Sequence, residues 1–176
     1  KDWGPMYLKY GLHLQSDFEK EAEWGMLINL TRMSVNDLGG EWKNEFEIGN
    51  EQSALSEFYQ PLDSSGFFFL APSVEYRSKQ QNVYRKNDRI AIYDVTKMEG
   101  RFDFGVQLKS YAELRAGPFW GNADAKVDTG SADLSEADDN LSGGSVSLTV
   151  DQQDRTAFAR EGYYFRVEGR FARKEM

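Results

Sequence analysis

Cysteine is absent from this 176-residue chain, which excludes a disulfide framework, a thiol nucleophile and a thiolate metal site. Histidine occurs once, at His13. No stretch approaches the roughly eighteen continuous apolar residues of a membrane-spanning helix, so a helical membrane protein is excluded while a barrel, whose strands need only alternate, is not. Positive charge is in deficit: 21 Lys and Arg face 29 Asp and Glu, a net charge of -8 that argues against an exposed nucleic-acid-binding face. Proline is scarce at four while aromatics reach 14%, which argues against disorder. The opening Lys1-Asp2-Trp3-Gly4-Pro5 lacks the apolar core of a signal peptide, as expected of a mature or internal segment.

What the chain does have is alternation. In GGEWKNEFEIGN, residues 39–50, Glu41, Lys43, Glu45 and Glu47 fall on one face of an extended strand, and Trp42, Asn44, Phe46 and Ile48 on the other. Similar segments recur from about Tyr7 to Gln15, after Trp24, from Phe68 through Tyr76, across RIAIYDVTKMEGRFDFGV, and in YAELRAGPFWG, GGSVSLTV and GYYFRVEGRF. The facing of SALSEFYQPL is left open. The pattern predicts about nine strands and no helix, an all-β fold read as an antiparallel up-and-down transmembrane β-barrel or a portion of one.

Turn lengths alternate. SDFEKEAE, the tip near RKND and an acidic loop from about Asp128 to Asn140 are long, whereas LDSSG and LKS are tight. Long loops on one rim and short turns on the other describe an outer-membrane barrel. Trp24 and Trp120 fall near the long-loop rim; Trp42, Phe67, Phe68, Tyr111, Tyr163 and Tyr164 fall near the short-turn rim. Two aromatic bands match the girdles at membrane interfaces. A soluble barrel would turn its charged face outward; a membrane barrel inverts this, and the pattern favours inversion. Lys9, His13, Glu41, Lys43, Glu45, Glu47, Arg101, Asp103, Glu113, Arg115, Arg166, Glu168 and Arg170 are then expected to face the lumen. Leu12, Leu14, Met26, Ile28, Phe46, Leu70, Val74, Phe104, Leu114, Trp120, Leu148 and Phe165 are expected to face lipid.

The stretch VDQQDRTAFAREGYYFRVEG resembles the D-x-x-D-x-x-x-F-P-x-x-G turn and following strand of the BamA-type outer-membrane assembly factor superfamily, on Asp151, Asp154, Phe158 and Gly162. Ala159 stands where proline is usual and Gln153 where leucine is usual. WGPMYLKYGLHLQSDF, LGGEWKNEFEIGNEQSALSEFYQPL and FFFLAPSVEYRS resemble the opening of the translocator barrel in patatin-like phospholipase autotransporters. The resemblance implies the first half of a sixteen-stranded barrel, with residues 1–5 a periplasmic linker and 6–176 the barrel portion. It also implies an upstream POTRA domain and lipase passenger, outer-membrane lipid as surroundings, and a periplasmic position for the motif turn. The alternatives within the superfamily are an insertase or a two-partner secretion transporter; outside it, a soluble lipocalin-like binding barrel.

No residue pattern supports catalysis, a metal or a cofactor. A lipase on the barrel wall would need His and Ser together on the lipid-facing side, and His13 lies on the opposite face. GGSVS at 143–147 lacks the final glycine and the strand–turn–helix context of a nucleophile elbow. DLSEADDN lacks the spacing of a calcium loop and reads as a solvated, mobile loop outside the cell. In the motif, the aspartates are expected to accept turn N–H bonds and Gly162 to supply an unusual backbone angle. An odd strand count and the non-aromatic ending ARKEM lead to the expectation that the chain does not close a barrel alone. Its first and last strands would then pair with strands of a continuing chain or a second copy.

Overall fold

The computed structural model describes residues 4–16, 22–85, 88–108, 111–130, 137–152 and 161–172. Within these, nine strands follow one another in sequence: β1 (Met6–Ser16), β2 (Ala22–Arg32), β3 (Glu41–Gly49), β4 (Glu51–Pro61), β5 (Phe68–Arg85), β6 (Asp88–Leu108), β7 (Ala112–Gly130), β8 (Ala137–Asp151) and β9 (Tyr164–Ala172). Each pairs antiparallel with the next, in one sheet ordered β1 to β9, so the expected all-β meander is what forms. The sheet is open, with β1 and β9 as its edges.

The tight turns are held by side chains that mimic backbone. Between β2 and β3, Asn36 Oδ1 accepts from the Leu38 and Gly40 amides at 3.1 and 3.0 Å. Between β4 and β5, Asp63 accepts from the Ser65 amide at 2.7 Å and the Phe68 amide at 3.3 Å, and Gly66 takes φ 66° to complete the reversal. The hydroxyl of Ser65 also donates to Asp63, and these bonds to the charged form hold the carboxyl below its ordinary 3.8.

Register fixes which residues share a face. Tyr10, Ile28, Phe46, Ala54, Tyr76 and Met98 stand directly opposite one another across β1 to β6. The neighbouring row on the other face runs Lys9, Asn29, Glu45, Leu55, Glu75, Glu99. The same alternation assigns β4, left open by its sequence: Leu55, Glu57 and Tyr59 join the charged face, and Ala54, Ser56 and Phe58 the other. The β6–β7 ladder skips from Arg101–Phe119 to Phe104–Ala116 at Pro118, which has no N–H to donate.

Three expectations are corrected. The acidic segment is not a loop from Asp128 to Asn140: β7 continues to Gly130 and β8 begins at Ala137, with Asp138 paired opposite Asp124. Alternation of Ala123, Ala125 and Val127 with Asn122, Asp124 and Lys126 extends the hairpin, and small residues there tolerate pairing as well as solvent. The strand holding Trp120 likewise does not end near it, but runs on for ten residues, so Trp120 marks the edge of an apolar band rather than the end of a strand. Last, GGSVSLTV is only the second part of a strand that starts at Ala137.

Candidate functional site

Burial in this sheet is the reverse of a water-soluble protein's. Glu99 is 1% exposed and Asp103 6%, whereas Leu12 is 76%, Trp120 53% and Phe104 46% exposed. The few buried apolar side chains include Phe69, Ala71 and Phe119, which lie on the charged face rather than opposite it.

The charged face is concave. A cavity of about 600 Å³ is lined by residues from β3 to β9, among them Lys43, Glu57, Glu75, Arg101, Arg115 and Glu168. Ion pairs bridge strands three apart: Arg115 Nη1 reaches Glu57 Oε2 at 2.7 Å from β7 to β4, and Arg101 Nη2 reaches Glu168 Oε1 at 3.0 Å from β6 to β9. On a flat sheet that separation is about 14 Å, so curvature and two long side chains are both needed. The hub is Glu99. Its carboxylate meets Lys97 Nζ at 2.8 Å, Arg101 Nε at 2.8 Å and Arg170 Nη2 at 2.5 Å. A buried carboxylate is tolerable only with such a full set of donors. Beside the ions lies an aromatic floor. Tyr59 and Phe69 pack at 4.5 Å, Arg115 stacks 5.3 Å from the Phe69 ring, and Arg170 lies 4.1 Å from Phe119. Phe69 has room because its cross-strand partner is Gly105, where a Cβ would collide with the ring.

The opposite face carries a continuous apolar band. On β6 it runs from Leu108 through Val106, Phe104 and Phe102 to Met98, about 33 Å of strand, or about 25 Å of height at a tilt near 40°. That is the height of a barrel's lipid-facing band. Beyond Met98 the same face turns polar through Thr96 and Asp94, so β5, β6 and β7 outrun the band by a second polar stretch.

The thirteen charged residues singled out from the sequence stand on the concave face, and the twelve apolar ones on the convex face, as the ladders group them. His13 sits over Gly25, with Nδ1 3.8 Å from Glu47 Oε1 and no hydroxyl nucleophile beside it among the described contacts. Sequence reasoning missed Glu57, Glu75, Lys97, Glu99, Phe69 and Phe119. Parity with Arg101 and Asp103 was the signal for Glu99 and Lys97. Of the motif, Asp151 and Gly162 are described: the Asp151 amide donates to Tyr111 O at 2.8 Å, and Gly162 has φ 105°. Asp154 and Phe158 lie outside the described residues. No group of three or more His, Cys, Asp or Glu suited to a metal occurs among the described residues.

Residues 35–174 match the model of the Omp85 superfamily domain. No curated protein and no solved structure matches the chain.

Proposed function

The chain belongs to the Omp85 superfamily, whose members are bacterial outer-membrane proteins, and from that premise we propose that it forms part of the wall of an outer-membrane β-barrel that anchors and helps export an attached passenger. The observation that carries this reading is the inversion of burial, with a saturated ionic cluster enclosed and a band of Leu, Ile, Phe and Trp turned outward. Lipid makes that outer wall favourable, and a hydrated lumen does the same for the charges. The soluble lipocalin-like alternative needs the charged face outside; the burial of Glu99 and Asp103 on that face supports the membrane reading over it.

In this proposal Lys9, Lys43, Arg101, Arg115 and their partners line the lumen, and Ile28, Phe46, Phe104 and Leu114 meet lipid. Residues 1–5 are a periplasmic linker and 6–176 barrel. The tight turns at Asn36 and Asp63, and the motif turn with Asp151 and Gly162, face the periplasm. The free edges of β1 and β9 expose unpaired backbone groups, each costing several kcal/mol in hydrocarbon, so they pair with further strands of the same protein or a second copy. Within the superfamily the quoted resemblances favour a patatin-like phospholipase autotransporter, with a POTRA domain and lipase upstream and this segment itself non-enzymatic. Several POTRA domains and no lipase upstream would favour an insertase or two-partner transporter instead.

Fractionation and labelling test the reading. The parent protein should sediment with the outer membrane. Because the chain has no native cysteine, single cysteines at Ile28, Phe46 and Leu114 should resist a membrane-impermeant maleimide in intact membranes, while one at Asp138 should react on whole cells. Recovery of the parent protein in the soluble periplasm would refute the proposal.

A further inference from the structure

A second cavity, of about 680 Å³, opens on the convex face at the long-loop rim. It exists because the β3–β4 hairpin turns at Gly49 and Asn50, while β5, β6 and β7 continue upward and leave a step. Trp24 forms one side, fixed by reciprocal bonds: its amide donates to Asn50 Oδ1 at 2.8 Å, and the Asn50 amide donates to its carbonyl at 3.1 Å. The other wall presents Gln52, Gln80, Asp94, Asp124 and Lys126.

Register sets the height of this cavity. Gln52, Thr96 and Asp124 lie one row beyond Ala54, Tyr76 and Met98, on the same face as the apolar band. In the proposed membrane placement, on which this inference rests, that row is at the level of the outer-leaflet headgroups. The chemistry there narrows the occupant. An indole face, primary amides, carboxylates and one ammonium offer stacking for C–H surfaces together with donors and acceptors for hydroxyls. Two aspartates against one lysine leave a net negative site, which repels phosphate-rich headgroups. We infer that this cavity docks the uncharged sugar portion of a glycolipid in the outer leaflet.

The test uses the parent protein in nanodiscs of phosphatidylethanolamine, with or without a neutral glycosyl diacylglycerol. A photoreactive residue replaces Gln80 or, as a membrane control, Phe104. The Gln80 probe should capture the neutral glycolipid, and Gln52→Ala with Asp124→Ala should lower capture about tenfold, the loss of one charged acceptor and its neighbour. Both positions are solvent-accessible polar sites, so folding is retained; Trp24→Ala supplies a second variant, with the same fall expected. Sugar released from the lipid should compete only weakly, since it lacks the acyl anchor. Equal capture of phosphatidylethanolamine, undiminished capture by both variants, or full competition by free sugar overturns the glycolipid assignment, even where the Phe104 probe still marks acyl chains. A Phe104 probe that captures no acyl chain overturns the membrane placement itself.

Discussion

Glu99→Gln is the sharpest perturbation of the concave face. The substitution keeps the shape of the side chain and removes a charge that is 1% exposed and meets three cations. Breaking one member of a buried ion pair costs about 3–5 kcal/mol. Here part of that is recovered. Arg101 keeps Glu168 at 3.0 Å, and Lys97 and Arg170, at 30% and 33% exposure, can draw solvent at the concave face. The expected loss is about 2–4 kcal/mol. Glu51→Gln is the control: Glu51 meets Arg77 and Lys79, which are 52% and 58% exposed, and solvent screening limits its loss to under about 1 kcal/mol. Urea unfolding of the parent protein from phospholipid vesicles, followed by tryptophan fluorescence and heat-modifiable mobility, measures both. Arg170→Met combined with Glu99→Gln should cost less than the sum of the two singles, because the second change removes a cation the first has orphaned. Equal losses for Glu99→Gln and Glu51→Gln, or strict additivity with Arg170→Met, would refute the assignment of Glu99 as the hub.

Gly105→Ala should cost about 1–3 kcal/mol in the same assay, since the added methyl enters the space of the Phe69 ring; Gly11→Ala, with open space around it, should be near neutral. Phe104→Lys, in the middle of the apolar band, should cost about 2–4 kcal/mol in vesicles, while Thr96→Lys beyond the band should cost about 1 kcal/mol or less. The bonds that lower the Asp63 pKa stabilise the β4–β5 turn above the ordinary aspartate value of 3.8, and that contribution is lost as pH falls through the depressed folded value. Hydrogen exchange at the Ser65 and Phe68 amides, corrected for the intrinsic pH effect, should therefore show a loss of protection in strong acid that Asp63→Asn abolishes.

Much of this was legible in the sequence because a strand has a period of two: once Glu41, Lys43, Glu45 and Glu47 are seen in phase, the two faces of β3 follow with no knowledge of its neighbours. Turn chemistry was equally local, as at Asn36 and Asp63, whose side chains bond amides within five residues. The strand order also follows from short connections, which leave consecutive antiparallel strands adjacent. Three things were not local. Parity within β4 is ambiguous because Ser, Ala and Leu suit either face, and only its register against β3 and β5 resolves it. The ends of β7 and β8 were misplaced because Asp and Ala carry little strand preference, while pairing across the hairpin adds a bond at each step. Most of all, no alternation reveals that Arg115 meets Glu57 or that Arg170 meets Glu99, 71 residues away. Those contacts depend on curvature, which belongs to the whole sheet. The sequence by itself determined two chemically opposite faces and favoured turning the charged one inward; tertiary structure alone decided which charges are buried and which partners they meet, because only on a concave surface do side chains from strands three apart converge.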